Sequence, residues 1–224
     1  MTLKINYIHM KFIAKNVYQI SLMPRNGINC YIVDDILVDA GIRSSYHKIT
    51  KEIRGFYLRA HLLTHAHADH QGSTHGICKT RSIPLLTSEE EKANAESGKV
   101  TNDYPRPHHF ISRFQQKYWA GPGHPVKQSL KEGDQVGSFK VLETPGHARG
   151  HISFFREEDG VLIAGDVLVN MNLLTTQVGL HEPPGLFTTD KAQNRKSIQK
   201  IEKLRPKIIC FGHGPVLFNR GQLK

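Results

Sequence analysis

Residues 64–70 concentrate metal-binding side chains in one short segment that directly follows an apolar run. Within six residues it offers three imidazoles and one carboxylate, those of His65, His67, Asp69 and His70. Histidine is the commonest metal-ligating side chain, and a neutral imidazole suits zinc. A strand directs alternate residues to one face, so His65 and His67 can point the same way, and a turn must bring in the other two. Four ligands exceed what one zinc with an open position needs, so the segment favours two metals.

Two metals require further ligands, and three candidates occur elsewhere in the chain. They are His147, Asp166 and His213, and each follows an apolar run that ends in glycine. A buried strand that ends in glycine places the next side chain on a loop at the sheet edge, where the backbone can bend toward a site. The total is five histidines and two aspartates, which is enough for two metals that share one carboxylate.

The order of these motifs resembles that of the metallo-β-lactamase superfamily. The matching motifs are HxHxDH at residues 65–70, TPGH at residues 144–147, GD at residues 165–166 and GHG at residues 212–214. The likeness extends from about residue 29 to residue 215, which is nearly the whole chain. The resemblance implies the family fold, in which two central sheets are flanked by helices.

The resemblance also implies a division of the ligands between two metals. Zinc is the expected metal, although manganese and iron accept the same donors. Two zinc ions lower the pKa of a shared water, and the resulting hydroxide would attack a carbonyl or a phosphorus, with Asp69 orienting it or carrying its proton to the leaving group. The implied sets are His65, His67 and His147 for the first metal, Asp69, His70 and His213 for the second, and Asp166 as the bridge.

The activity implied is that of a small dinuclear hydrolase in the lactonase or glyoxalase II-like branch, with a carboxylic ester, lactone or thioester as substrate. Many lactam-hydrolysing members carry cysteine where this chain has Asp166, and the flavin-linked di-iron branch has glutamate where it has His67. Two alternatives stay open. One is a metal-dependent phosphodiesterase or nuclease, which the net charge of +10 would favour. The other is a non-catalytic metal-dependent binding or sensing protein.

Length, cysteine content and charge limit the class of protein. The 224 residues suit a single metallo-β-lactamase-like domain over residues 1–224, with an irregular insertion or lid at about residues 97–128. Three scattered cysteines without a CxxC pair argue against a cysteine zinc site or a disulfide framework. Residues 1–6 lack the apolar run of a secretory signal, so we expect a cytoplasmic protein without membrane spans. The basic residues are scattered, so nucleic acid is not expected as a partner, and the oligomeric state stays open.

The hydrophobic pattern predicts the elements that must position the ligands. Two half-domains, each mainly sheet with helices outside, would give an α+β fold with two mixed β-sheets in an αββα four-layer sandwich. Strands are predicted at residues 18–20, 30–33, 36–38, 62–64, 83–86, 139–142, 152–155, 161–164 and 208–211. Helices are predicted over residues 44–54, after Ser73, from a Ser88–Glu91 capping box to about residue 95, over residues 112–119, and from Thr189 or Asp190 to about residue 204.

The other histidines carry weaker signals than the seven candidate ligands. His151 starts a strand and is interpreted as structural or as a hydrogen-bond partner of a ligand. Ligating imidazoles need an acceptor on their second nitrogen, and Asp39 and Thr64 are the candidates for that role. The remaining positions are interpreted as strand surface for His61, helix surface for His75, and solvated or substrate-facing loops for His108, His109, His124 and His181.

Overall fold

The computed structural model describes residues 10–223, which form two β-sheets with helices packed on their outer sides. Residues 1–9 and Lys224 lie outside the described residues. The prediction that residues 1–6 form no secretory signal therefore falls on residues that the structure does not describe. Between residues 10 and 223, no helix combines the length and the apolar character that a membrane crossing requires.

The first sheet contains seven strands that neighbour one another in chain order. They are β1 (Met10–Ala14), β2 (Val17–Ser21), β3 (Asn29–Val33), β4 (Ile36–Val38), β5 (Ala60–Leu62), β6 (Leu85–Ser88) and β7 (Val126–Leu130). Strands β1 to β4 are antiparallel, whereas β4 to β7 run parallel. Parallel neighbours require long crossovers, and the helices occupy them. These helices are α1 (Tyr46–Glu52), α2 (Ala68–Gln71), α3 (Thr74–Arg81), α4 (Glu89–Ser97) and α5 (Phe110–Phe114).

The second sheet contains six strands in the order β15-β14-β11-β10-β9-β8. They are β8 (Gln135–Val136), β9 (Phe139–Glu143), β10 (Ile152–Arg156), β11 (Val161–Gly165), β14 (Ile208–Phe211) and β15 (Leu217–Phe218). Only β11 and β14 pair in parallel, and helix α6 (Lys191–Lys203) lies in the crossover between them. A separate hairpin of β12 (Val169–Met171) and β13 (Val178–His181) follows Asp166.

Three apolar layers hold these elements together. The central layer joins Val38 and Leu62 of the first sheet to Phe154 and Ile163 of the second. The other two layers lie on the outer faces, where the first sheet packs on residues of α1 and α3 and the second packs on α6 through Ile201. Helix, sheet, sheet and helix therefore succeed one another, which confirms the predicted αββα sandwich of the α+β class.

The strand predictions were wrong mainly by omission. The segment over residues 97–128 was predicted to be irregular, but it runs into β7, which pairs with β6. Two of the five residues of β7 are exposed, so it lacks the apolar alternation of a half-buried strand. Strand β15 follows the one predicted to be last, and the hairpin of β12 and β13 lies where only a loop was expected. The predicted strand at residues 62–64 ends at Leu62.

The capping box predicted for α4 is also wrong. The helix begins at Glu89, but Ser88 makes no capping hydrogen bond. Its hydroxyl donates instead to the carbonyl of Gly150 at 2.6 Å. The carboxylate of Glu91 accepts from the amides of Ala66 at 2.8 Å and Gly150 at 2.9 Å. Both side chains thus join the loops that carry the candidate ligands, and tertiary contacts prevail over the local motif.

Candidate metal centre

The first cluster of ligands lies where β5 gives way to α2. Strand β5 ends at Leu62, so His65 and His67 lie on the loop beyond it and not on a strand face. Their rings pack edge to face with centroids 4.4 Å apart. Helix α2 begins at Ala68, and its first turn carries Asp69 and His70. The bend expected from the sequence is therefore this change from extended backbone to helix.

The other three candidates follow strands of the second sheet. Asp166 directly follows β11, His147 lies in the loop between β9 and β10, and His213 lies two residues beyond β14. Gly212 allows this approach, because a Cβ atom built there would lie 2.0 Å from Oδ1 of Asp166. The two sheets thus deliver their ligands to the same end of the sandwich.

All seven predicted ligands converge on one site. Oδ2 of Asp166 lies 2.9 Å from Nε2 of His213, 3.4 Å from Nε2 of His70 and 3.6 Å from Nε2 of His147. Oδ2 of Asp69 lies 3.3 Å from Nε2 of His213. Ligand atoms fall within 4.8 Å of one another in three groups: His65, His67 and His147; His65, His70 and Asp166; and Asp69, His70 and His213.

The donor atoms at this site fit metal cations. Buried polar atoms almost always have hydrogen-bond partners. Yet Nε2 of His65, His70 and His147 and Oδ1 of Asp166 are buried without any. Imidazole nitrogens and carboxylate oxygens are the donors that zinc, iron and manganese accept. The orphaned atoms together with the three groupings match the requirements of a pair of divalent cations.

Hydrogen bonds on the far side of the imidazoles direct Nε2 toward the site. Nδ1 of His70 donates to Oδ2 of Asp39 at 2.9 Å, and Nδ1 of His65 lies 3.0 Å from Oγ1 of Thr64, which itself donates to Asp39. Nδ1 of His213 donates to the carbonyl of Gly27 at 2.5 Å. Such outer contacts fix the tautomer and orientation of ligating rings. Asp39 and Thr64 lie where the sequence analysis suggested.

The histidines of the site differ in the direction in which their pKa values are shifted. Burial lowers the pKa of His147 to about 4, and burial with neighbouring imidazoles lowers the pKa values of His65 and His67 as well. Burial also acts to lower the pKa of His213, but the Asp166 carboxylate and its hydrogen bond outweigh it and raise that pKa to about 10. Neutral imidazoles are ready to ligate, whereas a proton on His213 must leave when a cation binds.

His151 supports the site without joining the three groupings. Its Nε2 accepts from the backbone amide of Asp166 at 2.9 Å, and its Nδ1 lies 2.8 Å from Oγ1 of Thr144. The side chain is fully buried. It therefore holds the backbone of a candidate ligand, in agreement with its interpretation as a partner of a ligand.

The other described histidines do not belong to the three ligand groups. His61 was predicted to be on a strand surface, but it is fully buried, with Nδ1 2.9 Å from the carbonyl of Leu37 and Nε2 2.9 Å from Oγ1 of Thr74. Nδ1 of His75, on α3, contacts the carbonyl of Gly123. The side chains of His108 and His181 are exposed, and those of His109 and His124 are half-buried.

A cavity of about 410 Å³ opens onto the ligands. His67, Asp69, His147, Asp166 and His213 form its floor. Sequence reasoning did not single out Tyr104, a buried residue of this cavity whose ring packs edge to face on His67 with centroids 4.6 Å apart. No pattern around Tyr104 marks it, because its position depends on how residues 98–125 fold back over the site.

Comparisons with known proteins agree with this geometry. A family model described as the metallo-beta-lactamase superfamily matches residues 23–213. The probable metallo-hydrolase YflN of Bacillus subtilis (strain 168) is 32% identical over 200 residues, which are 80% of this chain and 75% of that protein. The structure of TTHA1623 in a di-iron-bound form has a TM-score of 0.67 at 26% identity, covering 89% of this chain and 93% of its own. The BLEG-1 B3 metallo-beta-lactamase has a TM-score of 0.66 at 27% identity, covering 90% and 93%.

Proposed function

This chain belongs to the metallo-β-lactamase superfamily, and from that premise we propose that it is a dinuclear metal-dependent hydrolase of carboxylic esters, lactones or thioesters. The observation that carries the proposal is the convergence of seven ligand side chains, of which four atoms are buried without a hydrogen-bond partner. Five of these seven side chains line a cavity large enough for a small-molecule substrate. A purely structural metal site would be closed to such a cavity.

We assign the ligands to two metals that share one carboxylate. Asp166 is the proposed bridge, because its Oδ2 lies within 3.6 Å of nitrogens from His70, His147 and His213. The outer hydrogen bonds support the assignment, since they leave Nε2 of His65, His70 and His213 free to ligate. The proposed sets are His65, His67 and His147 for one metal and Asp69, His70 and His213 for the other.

Zinc is the proposed metal, because five of the seven candidate donors are imidazoles, which suit zinc. When bound, a pair of such ions supplies a water of lowered pKa and polarises the substrate carbonyl. TTHA1623, a similar protein, has been observed in a di-iron form, so iron is the alternative that loading experiments must include.

Asp69 is the proposed proton carrier. Its carboxylate is the most exposed of the ligand side chains and lines the cavity where the substrate would lie. Burial acts to raise its pKa, but the hydrogen bond from His213 and the charge of His70 hold it well below its usual range. An ionised carboxylate beside the cavity can accept a hydrogen bond from the attacking water, orient it and relay its proton to the leaving group.

The surroundings of the site support two further assignments. Tyr104, Ile111 and Trp119 belong to the segment over residues 97–128 and line the cavity, so we propose that this segment forms a lid within a single domain. We also propose a cytoplasmic location. Its support is that Cys30, Cys78 and Cys210 are all buried free thiols, as suits a reducing compartment.

The proposal is tested by assaying zinc-, iron- and manganese-loaded protein on p-nitrophenyl esters, lactones, thioesters and bis-p-nitrophenyl phosphate. We expect metal-dependent turnover of at least one carbonyl substrate class, lost on chelation and restored by adding metal. Greater activity on the phosphodiester would replace the proposal with the phosphodiesterase alternative. No turnover by fully loaded protein on any substrate would favour the binding or sensing alternative.

A further inference from the structure

We propose that the outer face of the helical segment over residues 110–119 docks on an anionic lipid surface, with its aromatic side chains entering the headgroup region beside its cations. Such docking is a surface contact and not a membrane crossing, which no helix between residues 10 and 223 could make. It does not depend on the hydrolase function, because this face contains none of the candidate metal ligands.

The helical segment has an inner and an outer face. Helix α5 continues beyond Phe114 as one π-helical turn over Gln115–Trp119. Residues three or four apart lie on the same side of a helix. The inner residues line the cavity above the candidate metal centre and are Ile111, Gln115 and Trp119. The outer face instead lines a separate open cleft of about 600 Å³ and comprises Phe110, Arg113, Phe114, Lys117 and Tyr118.

The three aromatic side chains of the outer face extend into solvent. Phe110 is 74% exposed, Tyr118 is 54% exposed and Phe114 is 49% exposed. The rings of Phe114 and Tyr118 lie with centroids 4.9 Å apart. Removing such apolar surface from water is favourable, and a contiguous exposed apolar patch marks a site of interaction. The outer face therefore calls for a partner with an apolar component.

The same face is cationic. Arg113 and Lys117 are exposed, and so is Arg106 in the preceding loop. Among the residues that the structure describes, none of these three cations belongs to an ion pair, whereas Arg59 and Arg195 do. Residues 104–131 contain no Asp or Glu, and their cations are Arg106, Arg113, Lys117, Lys127 and Lys131. This charge pattern complements an anionic partner.

A lipid surface meets both requirements, whereas a second copy of this chain does not. A helical segment that combines exposed aromatic rings with Lys and Arg is typical of segments that lie in the headgroup region of anionic bilayers. In a two-fold dimer, by contrast, the same patch on each chain faces the other. Arg113 and Lys117 would then oppose cations of the partner, which is unfavourable.

The hairpin of β12 and β13 favours a lipid surface over a nucleic acid. Leu174, in the loop of this hairpin, is 95% exposed and lies at the rim of the cavity, and Val178 is 62% exposed. Residues 167–181 contain no Lys, Arg, Asp or Glu. Aliphatic side chains neither pair with phosphates nor stack on bases, but they partition into the boundary between headgroups and acyl chains. Two elements that border the same cavity thus suit a bilayer.

The first test is co-sedimentation with vesicles of phosphatidylcholine alone and of phosphatidylcholine mixed equally with phosphatidylglycerol. We expect binding to the mixed vesicles only, weakened by added salt. Trp119 is the only tryptophan of the chain, and its ring lies 6.2 Å from that of Phe114, so its fluorescence should shift to the blue on binding. Folded protein that fails to bind the mixed vesicles, or that binds both kinds equally, would overturn the proposal.

A charge reversal on the outer face tests its specific contribution. We expect the double variant Arg113→Glu, Lys117→Glu to bind the mixed vesicles at least about 25-fold more weakly, since each cation contributes about five-fold near an anionic surface. The matched control is Lys196→Glu, Lys203→Glu, which changes the net charge equally at exposed positions of α6. An equal loss in the control would show a general attraction to the net positive charge and contradict a docking face.

The aromatic side chains are tested separately from the charges. We expect Phe110→Ser, Phe114→Ser to bind at least about ten-fold more weakly. The control is Phe12→Ser, Tyr57→Ser, which replaces aromatic residues that are 64% and 82% exposed elsewhere on the surface. Wild-type affinity in the folded Phe110→Ser, Phe114→Ser variant would show that no ring enters the bilayer and would refute the proposal.

Two further outcomes would assign the outer face to another partner and so overturn the proposal. One is a dimer in solution, detected by light scattering, that Phe110→Ser, Phe114→Ser converts to a monomer. The other is binding of a single-stranded oligonucleotide that is tighter than vesicle binding and is lost in Arg113→Glu, Lys117→Glu. We expect neither outcome.

Discussion

His70 donates from Nδ1 to Oδ2 of Asp39 at 2.9 Å, and both side chains are almost completely buried. The same Asp39 carboxylate accepts from the backbone amide of Thr64 at 2.9 Å and from its hydroxyl. Asp39 therefore links the backbone that leads into the first ligand cluster to the ring of a candidate ligand. Its carboxylate fixes the tautomer of His70 and leaves Nε2 directed at Asp166.

The first prediction concerns this link. Asp39→Asn keeps the side-chain shape and tolerates the left-handed backbone of this residue, φ 61°, but it removes the charge that His70 faces. We expect metal affinity to fall about 10- to 100-fold, measured by competition with a chromophoric chelator. Asp35→Asn is the control, since Asp35 pairs with Arg59 at the surface. Equal metal affinity in Asp39→Asn and wild type would show that this hydrogen bond does not tune the site.

The second prediction concerns the proton carrier. Asp69→Asn retains an oxygen donor but cannot take up a proton, so we expect kcat to fall about 10²- to 10⁴-fold. The metal content of the same sample must be measured by mass spectrometry, because Asp69 is also a proposed ligand. Wild-type turnover in a variant that keeps its metal would refute the role in proton transfer.

The third prediction tests the contact between β11 and His151. Gly165 has φ +57°, and a Cβ atom there would lie 2.6 Å from Nε2 of His151, which holds the amide of Asp166. We expect Gly165→Ala to lower the free energy of unfolding by about 2–4 kcal/mol and to weaken metal binding. Gly133→Ala is the matched control, because it has φ +86° but its nearest neighbour lies 3.9 Å away. An equal loss of stability in both variants would exclude the His151 clash.

The fourth prediction concerns acid stability. Burial lowers the pKa of His61 from 6.5 to about 4, so the unfolded chain binds the proton first as the pH falls. The free energy of unfolding is therefore complete above pH 6.5 and decreases as the pH falls toward 4. In metal-free protein, we expect wild type to lose about 2 kcal/mol more than His61→Gln between pH 7 and pH 5, measured by urea unfolding.

The exposed His47 provides the control for the acid prediction. His47→Gln should lose as much stability between pH 7 and pH 5 as wild type does, because its side chain is in solvent. The other buried histidines contribute equally to all three proteins and cancel in the comparison. If His61→Gln and wild type follow the same pH dependence, the buried imidazole of His61 does not contribute to acid sensitivity.

The sequence predicted those elements whose residues carry a local signal. Strand β4 was placed at its observed bounds because residues 36–38 form a short apolar run between Asp34–Asp35 and Asp39, and α6 was placed because Asp190 caps it, accepting from the amide of Gln193 at 2.9 Å. Features that depend on distant partners were missed. Ser88 and Glu91 have the spacing of a capping box, yet both side chains form hydrogen bonds to the backbone of Gly150 instead.

The candidate site likewise combines residues that the sequence could predict with residues whose role depends on tertiary packing. The seven candidate ligands could be chosen from the sequence, because four of them cluster within residues 65–70 and each of the other three directly follows a glycine. Wall residues such as Met23 and Ile111 could not, because they are ordinary apolar residues that become part of a pocket only through tertiary packing. The burial of His61 was missed for a similar reason, since its partners Leu37 and Thr74 come from a neighbouring strand and a following helix.

The central claim is that the chain binds two cations that share the Asp166 carboxylate. Its most direct test is the metal content after equilibrium dialysis against zinc, measured by mass spectrometry on wild type and on Asp166→Ala. We predict two tightly held equivalents per wild-type chain and loss of at least one in the variant. No more than one equivalent in folded wild-type protein, with zinc, iron or manganese, would contradict the claim.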